Sequence, residues 1–214
     1  MTAVSENKSK TRKNMELFII GMITGTIIGI PRDTYSEMLS QNCVKNGIGQ
    51  SVIIGIGMSL AVAFMTIIDI IVLFFLGKYM LKARSFFTYI MSALLIVTNV
   101  IGIIKSDNSY DTDNTGTSFV NFMTGIMVGI SEFTNIFLIL FMYVYFDIAG
   151  LGFSGYAVLL GGTVAGAFII CVIIGILFKI FDNFRKIKST RGYNLAVNIM
   201  MICAGIFIIL KEAV

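Results

Sequence analysis

Histidine is absent from all 214 residues, proline occurs once, and charged side chains make up only 13% of the chain. Each scarcity excludes something. Without histidine there is neither the commonest transition-metal ligand nor the usual general base. A soluble domain of this size is about a quarter charged, so a water-soluble enzyme and a nucleic-acid-binding domain are both excluded. The three cysteines, Cys43, Cys171 and Cys203, stand far apart with no Cys-x-x-Cys pair, which argues against a thiol–disulfide carrier or a structural zinc site. No Gly-rich phosphate loop, nucleophile elbow or other catalytic signature occurs, so the chain reads as a non-enzyme with no cofactor. One proline and no long linker leave nothing to divide it into separately folding soluble domains.

What is abundant is apolar: 57% of the residues, with a mean hydropathy of +0.89. A spanning helix needs about 20 mostly apolar residues. Six runs approach that length: Met15–Ile30, Ser51–Gly77, Phe86–Ile104, Phe119–Phe146, Tyr156–Phe178 and Tyr193–Leu210. The chain therefore reads as an all-α, multi-pass protein of the cell (plasma or inner) membrane with six transmembrane helices. Its 16 Lys and Arg exceed its 12 Asp and Glu, but most lie between apolar runs, where they set orientation rather than bind nucleic acid. Residues 1–14 form a basic tail with Lys8, Lys10, Arg12 and Lys13, and 107–117 an acidic loop with Asp107, Asp111 and Asp113. The tail resembles a signal-peptide n-region. No small-residue cleavage site follows, so the first helix reads as retained.

Lys and Arg in short loops fix sidedness, and here they divide eight to eight between the two faces. A duplication explains the tie. Thr24-Gly25 through Gly29-Ile30 matches Thr124-Gly125 through Gly129-Ile130 at an offset of 100; Gly49, Val52 and Gly55 match Gly155, Val158 and Gly161 at 106; Ile103-Ile104-Lys105 matches Ile209-Leu210-Lys211 at 106. Repeat one is then 15–106 and repeat two 118–214. Three helices are an odd number, so the second copy enters the membrane inverted, as in secondary transporters whose substrate site lies between the copies.

The break Gly29-Ile-Pro31-Arg32-Asp33-Thr34, the glycines of Asn46–Gly57, the run Phe119–Phe141 with Gly125, and the tail Arg191-Gly-Tyr-Asn194 through Gly205 to Leu210 resemble the lysine-exporter superfamily, most of all its amino-acid exporter branch. The resemblance covers nearly the whole chain after Met15. It implies outward transport of an amino acid or a similar small zwitterion or cation. The chain departs from the family's pattern at both breaks: one proline stands where two flank a glycine, and Ser131-Glu132-Phe133 replaces Asn-Pro-Lys.

An ionisable group inside a span costs on the order of 2.5–3.5 kcal/mol by insertion scales, so its presence suggests function. Asp69 lies well inside the second run; its bland reading is a group near the headgroups or paired with a polar neighbour. Glu132 sits in the middle of the fourth run, whether one helix crosses there or two pieces meet. Gly29, Pro31 and Ser131 mark the helix breaks. Arg32 and Asp33 follow the proline, which removes a hydrogen bond from the ladder. Arg32 and Glu132 are equivalent in the two copies and are expected to approach one another. Arg32 suits a carboxylate because its planar fork can bind both oxygens, and Glu132 or Asp69 suits an ammonium; the same acids offer proton coupling. The bland alternative is a static buried pair. Asn99, Asn121 and Asn135 read as interhelical hydrogen-bonding groups, with Asn135 also a candidate at the site.

Two rival readings remain. A divalent-metal or other inorganic-cation exporter would use Asp33, Asp69 and Glu132 with amide or backbone oxygens. A scaffold or sensor would use none of them. The partners expected are a small-molecule or ion substrate and the lipid bilayer, with a homo-oligomer left open.

Overall fold

The computed structural model describes residues 2–30, 32–105, 117–132, 134–148, 150–185 and 191–213. Pro31, the aspartates of the acidic loop and residues 186–190 lie outside them, as does the side chain of Asp33. The described residues are all-helical, without a strand. Eight helices follow in order: α1 (Thr2–Ile28), α2 (Asp33–Asn46), α3 (Ile48–Lys82), α4 (Arg84–Lys105), α5 (Ser118–Ser131), α6 (Thr134–Tyr145), α7 (Phe153–Arg185) and α8 (Arg191–Ala213).

Four of these, α3, α4, α7 and α8, are each long and apolar enough to cross a membrane, and α5 with α6 makes a fifth candidate, bent by 66° at its break. Large apolar side chains stand exposed around them, including Phe74, Phe75, Phe86, Phe119 and Phe207. Water would not tolerate so much apolar surface, and the arrangement is compatible with a multi-pass membrane protein.

Four of the six expected runs appear as single helices, extended by a few residues at each end. The first run also lies in one helix, but α1 starts within the basic tail at Thr2 and stops at Ile28, and the chain resumes as α2. The fourth run is two helices, with Glu132 at the junction (φ −82°, ψ 50°). At the first break Arg32 is extended (φ −128°, ψ 155°) and stands as the N-cap of α2.

α2 is mostly polar, yet it is a core element. Tyr35, Met38, Leu39, Asn42 and Cys43 are all buried, and they repeat at i, i+3, i+4, i+7 and i+8, one face of a helix. That face is fastened on three sides. The Cys43 thiol donates to the Gly175 carbonyl on α7 (3.0 Å), the Ser51 hydroxyl of α3 donates to the Leu39 carbonyl (3.0 Å), and Ser36 donates to Asn194 Oδ1 on α8.

Glycine seams set the packing. Gly21 and Gly25 of α1, and Gly29 just past its end, lie against the backbone of α7 at Leu159, Thr163 and Ala167 in turn, so the two helices run parallel. α5 lies parallel to α3 in the same manner: Gly125 meets the Ile54 carbonyl and Met58 nitrogen, and Gly57 the Phe122 carbonyl and Ile126 nitrogen. α3 and α7 meet at the centre, and α4 packs along α8, where Gly205 faces the Ser92 carbonyl and Ile96. Between apolar helices association comes from close van der Waals contact rather than from expulsion of water, and only glycine lets backbones approach this far.

Candidate functional site

The two helix breaks restart in the same way. At the first, the Arg32 carbonyl accepts from the Tyr35 (3.0 Å) and Ser36 (3.3 Å) amides; at the second, the Glu132 carbonyl accepts from the Asn135 amide (2.8 Å). Each bond closes a turn at the head of the new helix, where backbone donors would otherwise lack partners. Each also fixes the side chain of the residue that ends the break.

Those side chains meet. Arg32 Nη2 donates to Asn135 Oδ1 at 2.8 Å and lies 3.8 Å from Glu132 Oε2, while Asn135 Nδ2 donates to the same Glu132 oxygen at 3.2 Å. Asn135 is fully buried, and the side chains of Arg32 and Glu132 are 12% and 21% exposed. Opposite charges thus balance in a largely enclosed place, with an amide joining them. Breaking such a pair by removing one member leaves the other charge uncompensated. Among the described residues only one terminal nitrogen of Arg32 is engaged, out of five N–H donors.

Arg32 and Asn135 also line a small, half-open cleft. Met91, Leu94 and Leu95 of α4 form one wall, Phe137 and Phe141 of α6 another, and Thr98 and Thr134 add hydroxyls. Its free volume is about 20 Å³, room for about one water, so a cargo the size of an amino acid needs the cleft to widen.

Other expected residues fall elsewhere. Asp69 is not part of this cluster; it is fully buried on α3, and neither carboxylate oxygen has a hydrogen-bond partner among the described residues. The paired form of its bland reading finds no partner among the described residues. Asp33 opens α2, its side chain outside the described residues, and Pro31 lies outside them altogether. Gly29 is a packing residue against Ala167 and Ile170. Ser131 is exposed and donates back along α5 to the Met127 carbonyl (2.8 Å) rather than reaching the cluster. Asn121 does make the expected interhelical bond, to Gln50 (2.8 Å), whereas Asn99 donates within its own helix to Leu95 (2.6 Å), and its Oδ1 has no partner among the described residues.

Sequence reasoning passed over several interior polar residues. Tyr35 pairs with Cys171 on α7 (3.1 Å), whose thiol also approaches the Gly29 carbonyl (3.4 Å), tying both sides of the first break to one helix. Tyr143 on α6 pairs with Thr163 on α7 (2.7 Å). The helical stripe of α2 was the available signal for the first; Tyr143 and Thr163 sit in apolar runs that give no local hint. Among the described residues no three His, Cys, Asp or Glu side chains come together as a metal site would require. Comparison with protein families, with curated proteins and with solved structures finds no match to this chain.

Proposed function

We propose that the chain is a secondary transporter of the cell membrane, similar to the lysine-exporter superfamily, which moves an amino acid or a similar small zwitterion or cation outward at the expense of the proton gradient. One observation carries the reading: Arg32 from the first helix break and Glu132 from the second lie 3.8 Å apart, joined through Asn135, beside an apolar cleft. A zwitterion brings a carboxylate and an ammonium. Arg32 offers the first a planar fork, Glu132 offers the second an anion, and Asn135 carries both a donor and an acceptor. With no cargo the two charges hold one another; cargo replaces each with a partner of the same sign.

In this reading α1 with α2, and α5 with α6, are each one broken span beside α3, α4, α7 and α8, which makes six. The packing supports an inverted repeat. Gly25 lies over Thr163 and Ala167, and Gly125 over Ile54 and Met58. One helix pair becomes the other on adding 100 to α1 and 109 to α3. The second offset differs by three residues, nearly one helical turn, from the 106 that the glycine pattern suggests. The breaks repeat at 100, with Arg32 and Tyr35 answered by Glu132 and Asn135.

A divalent-metal exporter would need Asp33, Asp69 and Glu132 together; among the described residues Asp69 stands apart from the Glu132 cluster, and the Asp33 side chain lies outside them. The test is efflux of labelled amino acids from loaded proteoliposomes under an imposed proton gradient. Wild type is expected to release a subset of them, and Arg32→Gln and Glu132→Gln to release none. Absence of gradient-driven flux for every amino acid and cation tried would leave a scaffold with a static ion pair.

A further inference from the structure

Asp69 is the most unusual side chain in the interior. It is fully buried, and neither carboxylate oxygen has a partner among the described residues. A buried charge without compensation is costly, and inside a spanning helix such a group marks function more often than accident.

Its surroundings define what it lacks. Thr66, three residues before it on α3, donates its hydroxyl hydrogen to the Val62 carbonyl at 2.8 Å. Tyr143 of α6 lies beside both Asp69 and Thr66, and its hydroxyl is 2.7 Å from Thr163 Oγ1 on α7. The Thr163 hydrogen goes to the Leu159 carbonyl at 3.0 Å, so Tyr143 is the donor in that pair. Each hydroxyl has a single hydrogen, and all three are committed. What remains is a buried carboxylate with no hydrogen bond of its own, near a tyrosine hydroxyl whose hydrogen is engaged elsewhere. Among the described residues Tyr143 of α6 is a titratable group that lies close enough to Asp69 to feel its charge. The missing component is one positive charge.

We propose that Asp69, with the hydroxyl oxygens of Thr66 and Tyr143 beside it, forms a second site that holds a single monovalent cation, either sodium or a proton. Hard oxygen donors and one negative charge fit a monovalent species. A divalent ion would be left under-neutralised and poorly caged.

α6 joins this site to the first. It carries Asn135 in its first turn and Tyr143 in its last, eight residues and about 12 Å apart. Breaks bound it at both ends: the 66° bend to α5, and a turn in which Asp147 and Gly150 both take positive φ. A twelve-residue helix between two breaks moves as one piece. Drawing Asn135 away from Arg32 therefore also draws Tyr143 away from the cation. This coupling rests on the transport reading; the cation site does not.

The test uses the purified full chain without cargo. Melting temperature is compared in sodium chloride and in choline chloride of equal ionic strength above neutral pH, and then in choline chloride above and below neutral pH. A rise of a few degrees with sodium identifies sodium as the ligand; a rise on acidification with no sodium response identifies the proton. In either case Asp69→Asn should lose the response and Tyr143→Phe should weaken it several-fold. If Asp69→Asn does not fold, Tyr143→Phe decides alone. A wild type that responds to neither, or variants that respond as wild type does, overturn the proposal. A cation response that survives without any cargo flux refutes the transport reading and leaves the site standing.

Discussion

A graded series of glycine-to-alanine substitutions tests the packing that positions everything else. At Gly25 a Cβ would overlap the Thr163 carbonyl and crowd the Ala167 nitrogen. These are backbone atoms, so no side chain can swing aside and α1 must lift away from α7. Overpacking of this kind costs about 1–3 kcal/mol. At Gly161, also on α7, nothing lies within 4 Å of the added methyl, and removing a helical glycine there gains about 0.5–1 kcal/mol. Gly155 is intermediate, since its nearest neighbour is the Leu151 side chain at 3.3 Å, which yields at little cost. The two extremes should then differ by roughly 1.5–4 kcal/mol, or about 3–16 °C of melting temperature for a chain of this length. Thermal unfolding of the three variants in one detergent reads this directly. The expected order is Gly161→Ala highest, Gly155→Ala near wild type and Gly25→Ala lowest, with Gly125→Ala beside it because it meets α3 in the same manner. If Gly25→Ala melts like Gly161→Ala, α1 does not lie on α7 as described, and the approach of Arg32 to Glu132 loses its support.

Other expectations are shorter. A double-mutant cycle of Arg32→Gln and Glu132→Gln should give a coupling energy of about 1–2 kcal/mol in chemical unfolding, since the pair is largely buried but not at ideal contact; a value near zero would separate the two residues. Asn135→Ala should lower that coupling, because the amide bonds both partners. Arg84 donates to both Asp147 oxygens (3.0 and 2.9 Å) and to the Tyr145 carbonyl (3.0 Å), with its guanidinium 5.5 Å from the Tyr145 ring centre. Asp147 is well exposed, so the ion pair alone counts for little. Arg84→Ala should cost about 1–2 kcal/mol in all, with Arg84→Lys recovering less than half, since an ammonium cannot reproduce the fork. Asp147→Gly should be nearly neutral, because relief of the positive φ (57°) offsets the lost pair; a loss as large as that of Arg84→Ala would refute this balance.

Much of the fold could be read from local pattern. Run length and hydropathy mark α3, α4, α7 and α8 to within a few residues, because a helix in lipid must satisfy its own backbone and therefore needs a continuous apolar stretch. Pro31 marks the first break by its chemistry, and Glu132 the second by standing where no charge belongs. α2 escaped notice because hydropathy averages over all sides of a helix, and a mostly polar segment with one buried face averages to a loop. Its stripe of Tyr35, Met38, Leu39, Asn42 and Cys43 was visible only to a search by helical period. The role of Asn135 escaped for a different reason: an amide in a span suits many partners, and nothing local says which.

By itself, then, the sequence determined the helical class, the four uninterrupted helices and the positions of the breaks, all of which depend on neighbours within one or two turns. Tertiary structure alone decided that Asn135 sits between Arg32 and Glu132, and that Asp69 is buried with no hydrogen-bond partner among the described residues. Those meetings join residues far apart in the chain. They depend on the height and rotation at which each helix locks against the next, which the glycine seams fix to within a single turn.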